Sequence, residues 1–365
     1  MSIQSTHRPG RPRPALSRRA LLAGTAAGAV GLSLAACGKG KKSGSQGDSK
    51  TVTVVTHDSF HVSEDLQKAF TSETGYTLKI ATSGDAGALV NKLVLTKDAP
   101  LGDAVFGIDN TYATRALDQG VIDTSATVTL PKGAESYVVA DTPALAPIDV
   151  GDVCLNIDTG YFTGKGLTPP ATFEDLTKPE YKGLLVAINP TNSSPGMAWL
   201  LATIGHFGAG SFADYWKQLM ANGARIAEDW SAAYETDFSG SGKGTYPIVV
   251  SYASSPSFTV SKDKSSSSTS ALLDTAFRQV EYAGVLKGAA NPEGGKAFVT
   301  WMLSKAVQED IPGQMYMYPV LPDAALPEAL TKFGPLSKSP VKVDPKEITA
   351  HREEWLGTWT EAVGK

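Results

Sequence analysis

Over the first half of this chain, β-branched runs alternate with helical stretches, and this alternation constrains the fold more than any other feature. Residues 51–56 alternate in polarity and are rich in Val and Thr, so they form a strand. Ser63 then caps a helix whose first turn carries Glu64 and Asp65, at the positive end of the helix dipole. Leu66, Ala69 and Phe70 give it an apolar face, and Gly75 ends it. Residues 77–81 form the next strand. Gly84-Asp85-Ala86-Gly87 leads into a helix bearing Leu89, Val90, Leu93 and Val94, and residues 104–108 form a third strand ending at Asp109-Asn110. Strands joined through helices lie parallel in one sheet, so the chain is α/β.

The second half repeats the theme with more aromatic strand ends. Residues 184–188 form a buried strand running into a polar turn. Ser194 as cap and Pro195 at the first helical position open the next helix, which carries Trp199 and Leu200 on a core face. That leaves Ser193 to meet a ligand's polar end. Residues 225–227 and 247–252 read as two further strands. Ligands of open α/β sheets sit beyond the carboxyl ends of strands. Trp230, Tyr234, Tyr252 and Phe258 therefore converge on one crevice, with hydroxyls from Ser251, Ser254 and Ser255 among them. Such a crevice suits a flat, cationic, partly polar ligand. Asp85, bracketed by glycines at a helix start, offers it a carboxylate. Residues 144–157, 278–286 and 315–320 are extended and cross between lobes, the last carrying Tyr316 and Tyr318. Three crossings imply two lobes of discontinuous segments, closing like a hinge on a central cleft. The Ser- and Lys-rich stretch 261–270 reads as a mobile surface loop.

The amino terminus reads as an export signal. Arg8 to Arg19 is basic, Ala20 to Ala36 is apolar and small, and Cys37 follows. Ser17-Arg18-Arg19 resembles a twin-arginine signal, and Leu34-Ala35-Ala36-Cys37 resembles a bacterial lipobox, in which the cysteine is lipidated. The apolar run is shorter than the roughly 20 residues a membrane span needs. Gly38 to Lys50 has no large apolar residue and forms a flexible tether.

Composition narrows the function. The first 36 residues hold five Arg and no acid; without them 28 basic and 37 acidic residues remain, a formal −9. So acidic a chain is not a nucleic-acid binder. With Cys37 used for lipid, Cys154 is alone and reads as a small buried apolar residue. His57 and His61 are four apart, but one ends a strand and the other precedes a helix, without a third ligand nearby, so no metal site is expected. A secreted hydrolase is the enzyme alternative. No Gly-x-Ser-x-Gly elbow precedes a helix, and His206 and His351 lie in helical contexts.

The order of these pieces resembles the thiamine-binding substrate proteins of ABC importers, within the type II periplasmic-binding-protein fold. The resemblance rests on Thr56-His57-Asp58-Ser59-Phe60, Gly107-Ile108-Asp109-Asn110, residues 190–196 and Trp230-Ser231-Ala232-Ala233-Tyr234. It continues through Ser251-Tyr252-Ala253-Ser254-Ser255-Pro256, Gln279-Val280-Glu281 and Met317-Tyr318-Pro319-Val320. It implies a non-enzymatic, monomeric lipoprotein. This protein would be held by Cys37 at the outer face of the cytoplasmic membrane, with no cofactor and thiamine or a thiamine phosphate as cargo for a permease–ATPase complex. It also implies that Trp230, Tyr252, Phe258 and Tyr316 line the pocket, that Asp85 faces the ligand, and that Ser193 holds its hydroxyethyl or phosphate end. His57 joins them where the family often has Tyr; Phe258 also replaces Tyr, and Tyr316 replaces Trp. Expected boundaries are 1–36 for the signal, 37–50 for the tether, 51–148 with 282–318 for lobe 1, and 149–281 with 319–365 for lobe 2. A ferric-ion binder of the same fold would want adjacent Tyr ligands, and the chain has no Tyr-Tyr pair. A polyamine binder would want acids among aromatics, which Glu228, Asp229 and Glu235 supply.

Overall fold

The computed structural model describes residues 50–241 and 244–364. The export signal, Cys37 and all of the tether but Lys50 lie outside the described residues. Among the described residues nine strands build one sheet: β1 (Thr51–Thr56), β2 (Thr77–Thr82), β3 (Ala104–Asp109), β4 (Leu145–Asp158), β5 (Leu185–Ile188), β6 (Arg225–Ala227), β7 (Ile248–Tyr252), β8 (Thr269–Val285) and β9 (Tyr318–Pro319). Their order is β2-β1-β3-β8-β4-β7-β5-β6, with β9 beside β4. At one end β2, β1 and β3 run parallel, and at the other β7, β5 and β6 do the same. Between them β4 and β8 pair antiparallel along most of their length, and each also pairs with one parallel group.

This layout follows from the sequence. The short strands are apolar runs with a helix between each parallel pair, which forces the crossover. β4 and β8 are the two early crossings, and β4 is buried at every position but its last. β9 is the late crossing and pairs with Asp149 and Val150 of β4. The Ser-rich stretch expected as a mobile loop is shorter and tied down. Asp263 accepts hydrogen bonds from Ser261 and Ser265 hydroxyls, Val260 bridges Ser267, and Thr269 already belongs to β8.

Helices cover the sheet: α1 (Glu64–Thr74), α2 (Ala86–Leu95), α3 (Ala113–Asp118), α4 (Thr159–Lys165), α5 (Ser194–Phe207), α6 (Phe212–Ala221), α7 (Pro292–Met302), α8 (Lys305–Gln314), α9 (Glu328–Phe333) and α10 (Pro345–Val363). Gly75 ends α1 in the left-handed conformation, as expected. Ser63 occupies the α1 cap position without a side-chain cap bond; its amide instead donates to Asp310 of α8 at 2.8 Å. The buried core includes Phe70, Phe106 and Trp301 beside β1 and β3, and Trp199, Trp216 and Trp359 from α5, α6 and α10. Trp216 donates to Thr203 at 3.0 Å, which satisfies its buried indole N–H. Cys154 is buried, and burial pushes its thiol up. Among the described residues no helix is long and apolar enough to cross a membrane.

Candidate functional site

The carboxyl ends of the parallel strands from both halves of the sheet meet at one cleft. β1 ends at His57, β2 leads to Asp85, and β6 and β7 lead to Trp230 and Tyr252. Between them lies a cavity of about 310 Å³ lined by these four residues together with Glu281 and Tyr316.

Its aromatic wall is held from behind. Trp230 stacks on Tyr234 with ring centroids 5.0 Å apart and planes 10° from parallel. The Trp230 indole donates to the Ser251 hydroxyl at 2.9 Å, and Ser251 pairs with Ser255 at 2.8 Å. These two hydroxyls are therefore engaged in orienting Trp230, and Tyr234 lies behind it. Tyr252 donates to Gln279 at 3.3 Å, and Gln279 donates to Glu281 at 3.1 Å. Burial, then Glu281, keep the Tyr252 phenol well above its usual range, so it stays neutral. Tyr316 adopts φ +64°, a left-handed backbone unusual for a large side chain. Such strain clusters at ligand sites. Its ring lies 3.6 Å from that of Phe258, which is 43% exposed and supports Tyr316 from outside the cavity lining. Met317 also lines the cavity and packs where Gly151 leaves room; a Cβ at Gly151 would lie 2.6 Å from its sulfur.

Beneath the aromatics lies an acidic floor. Glu281 of β8 is in register with Asp109 of β3 and Asp149 of β4, so three carboxyl groups sit side by side across the sheet. His57 Nε2 lies 3.4 Å from Glu281 Oε1. Burial opposes charge on His57, but Glu281, then Asp85 and Asp109, outweigh it and raise its pKa. Its Nδ1 accepts the Ser59 N–H at 3.1 Å, which places a ring proton on Nε2. The imidazole needs Gly107: that residue has φ +97°, and any Cβ there would overlap the ring. The same glycine marks the register shift in the β3–β8 pairing that precedes Asp109.

The head of α5 forms another wall, and here the structure corrects the sequence. Ser193, not Ser194, is the cap; it accepts from the Gly196 N–H at 3.5 Å and is fully buried. Pro195 is the second helical residue, and Ser194 is the one that lines the cavity, its hydroxyl buried without a hydrogen-bond partner. The one-residue shift exchanges the two serines' places. Asp85 caps α2, accepting the Ala86 N–H at 2.7 Å, and the Ser193 hydroxyl and Ser194 N–H also favour its charged form. Burial raises its carboxyl despite these bonds.

Of the expected site residues, Trp230, Tyr252, Tyr316, Asp85 and His57 line the cavity, whereas Phe258 backs Tyr316 and Ser193 lies behind the wall. His57 is buried and His61 exposed, so they do not share a face. Glu281, Asp109, Asp149 and the two methionines, Met315 and Met317, are not among the residues that the sequence assigns to the site, and Glu235 is named there only for a polyamine. For Glu281 the signal was an acid inside an apolar crossing strand, which is costly without a purpose. The arrangement can clamp a flat cation between aromatic faces above carboxylates.

A model of the bacterial extracellular solute-binding protein family matches residues 103–334. The thiamine-binding periplasmic protein of Salmonella typhimurium is 27% identical over 326 residues, covering 86% of this chain and 94% of its own. A solved periplasmic thiamin-binding protein superposes with TM-score 0.74 at 25% identity, covering 86% of this chain and 96% of that one. Iron-bound HitA from Pseudomonas aeruginosa shares the fold, with TM-score 0.67 at 21% identity and coverage of 86% and 99%. These solved structures share the expected type II periplasmic-binding-protein architecture, and this chain belongs to the bacterial extracellular solute-binding protein family.

Proposed function

We propose that this protein captures thiamine or a thiamine phosphate outside the cytoplasm and delivers it to an ABC importer. One observation carries the reading: a cavity of about 310 Å³ flanked by Trp230, Tyr252 and Tyr316, above the Glu281 carboxyl. Thiamine brings a permanent thiazolium cation and a flat aminopyrimidine. A cation over an aromatic face gains roughly 0.5–2 kcal/mol, most when desolvated. The similarity to thiamine-binding periplasmic proteins over 86% of the chain supports the same ligand. Residues 51–148 with 282–318, and 149–281 with 319–365, act as two lobes that close on it. The protein works as a monomer, without cofactor or turnover. Export and a lipid on Cys37 hold it at the membrane; Cys37→Ala releases it from the membrane fraction, and a wild type already free of lipid contradicts the anchor.

Calorimetric titration of residues 50–365 with thiamine, its phosphates, spermidine and ferric ion tests the ligand. Thiamine or its phosphates bind tightest; tight iron or spermidine binding with no thiamine signal overturns the reading. A polyamine is the second reading, favoured by Asp85, Glu235 and Glu281 around the cavity.

A further inference from the structure

Aromatic walls attract a positive charge, but they do not explain the carboxyl groups beneath them. Glu281 lines the cavity and is central in the row Asp109–Glu281–Asp149. Asp109 and Asp149 are fully buried, and Glu281 nearly so. Neither oxygen of Asp149 receives a hydrogen bond from a fixed donor, nor does Asp109 Oδ2. A buried carboxylate without donors is costly, and facing carboxyl groups relieve the cost by sharing a proton. Burial, then Glu281, push the Asp149 carboxyl well above its ordinary range.

Other groups face Glu281 from the surrounding elements. His57 Nε2 approaches it from the end of β1 at 3.4 Å; it is buried, lines the cavity and makes no hydrogen bond. Asp85 stands at the head of α2. The Tyr252 phenol at the end of β7 reaches Glu281 through Gln279. Asp109 is raised to about 7 by burial. Asp58 and Glu235 add two more carboxyl groups along the cavity, so carboxyl groups outnumber the one imidazole.

We propose that Glu281, backed by Asp149, selects ligands by charge: the pair shares a proton while the cleft is empty and gives it up to solvent when a cation enters. The inference rests on the thiamine reading, which supplies the cation. The exchange conserves charge in the site. One O–H bond of the acid pair breaks, the proton passes to buffer, and the carboxylate left behind faces the thiazolium. The empty site holds this proton more tightly than the occupied one, so rising pH favours binding. A neutral flat molecule has no charge to exchange and gains nothing from the pair.

The test is calorimetry near pH 6.5 in two buffers of different ionisation enthalpy, which counts protons released on binding. Thiamine is compared with thiochrome, its uncharged tricyclic oxidation product, for wild type, Glu281→Gln, Asp149→Asn and His57→Gln. Wild type releases up to about one proton with thiamine and none with thiochrome. Glu281→Gln and Asp149→Asn suppress the release, and Glu281→Gln weakens thiamine at least about tenfold while leaving thiochrome unchanged. Thiamine binding without proton release, or a release that survives in both acid variants and vanishes in His57→Gln, overturns this inference alone. Absence of thiamine binding in wild type overturns it together with the ligand reading. Circular dichroism identifies any variant that does not fold, in which case the folded variants decide: release lost in either acid variant supports the pair, and release lost only in His57→Gln overturns it.

Discussion

The tryptophans around α5 and the one at the cleft pack by opposite rules. Around α5, Trp199, Trp216 and Trp359 interlock edge to face: Trp216 lies 5.2 Å from Trp199 and 5.6 Å from Trp359. All three are at most 1% exposed. At the cleft, Trp230 stacks nearly flat on Tyr234, its N–H is held by Ser251, and it lines the cavity. Edge-to-face packing on every side consumes ring surface and yields stability. Flat stacking against one side, with the polar edge tied down, leaves the other surface available to a ligand. The same residue type thus serves the core or the site according to what covers its second face.

The contrast breaks most visibly at Trp199. Trp199→Ala leaves a cavity in a closed cluster and costs about 3–5 kcal/mol in chemical denaturation. Thiamine affinity of the fraction that remains folded stays near wild type.

Titration gives the next largest effect, in the floor rather than the walls. Asp109 has a folded pKa raised to about 7 by burial. A raised folded pKa contributes stability at low pH that is lost as pH climbs through it. Stability of the ligand-free protein therefore falls by about 2 kcal/mol between pH 5.5 and 7.5 from this group. Asp109→Asn flattens that slope in unfolding curves taken across the range. An unchanged slope removes Asp109 as its source.

A smaller effect sharpens the comparison at the cleft. Ser251→Ala removes the acceptor of the Trp230 N–H and costs about 1 kcal/mol of stability. It also loosens Trp230, so affinity falls with it. A loss of stability with unchanged affinity shows that the Ser251 bond does not position the ring.

Much of this was legible in the residues. The strands of the two parallel groups could be read from short apolar or β-branched runs, and the aromatic strand ends pointed to the cleft because ligands sit there in such sheets. Trp199 and Trp230 could be separated by context, one on an apolar helix face and the other after a strand among hydroxyls. What stayed hidden depends on one-residue placement and on pairing across the sheet. Whether Ser193 or Ser194 caps α5 decides which of them meets the cavity, and both are good cap residues. In the row Asp109–Glu281–Asp149, Glu281 is more than a hundred residues from either aspartate, and only the register of β3, β8 and β4 brings the three together. Phe258 looked like cavity lining because sequence gives its neighbourhood but not the side from which it packs.

The open face of Trp230 is the centre of the site. Thiamine titration of Trp230→Phe, Trp230→Leu and Trp230→Ala tests it most directly. Phe keeps an aromatic face and retains most of the affinity. Leu keeps apolar bulk without a ring quadrupole and loses roughly 0.5–2 kcal/mol more, or about 2- to 30-fold, and Ala loses the most. Equal affinities for the Phe and Leu variants would contradict the cation–aromatic contact, and wild-type affinity in Trp230→Ala would remove Trp230 from the site.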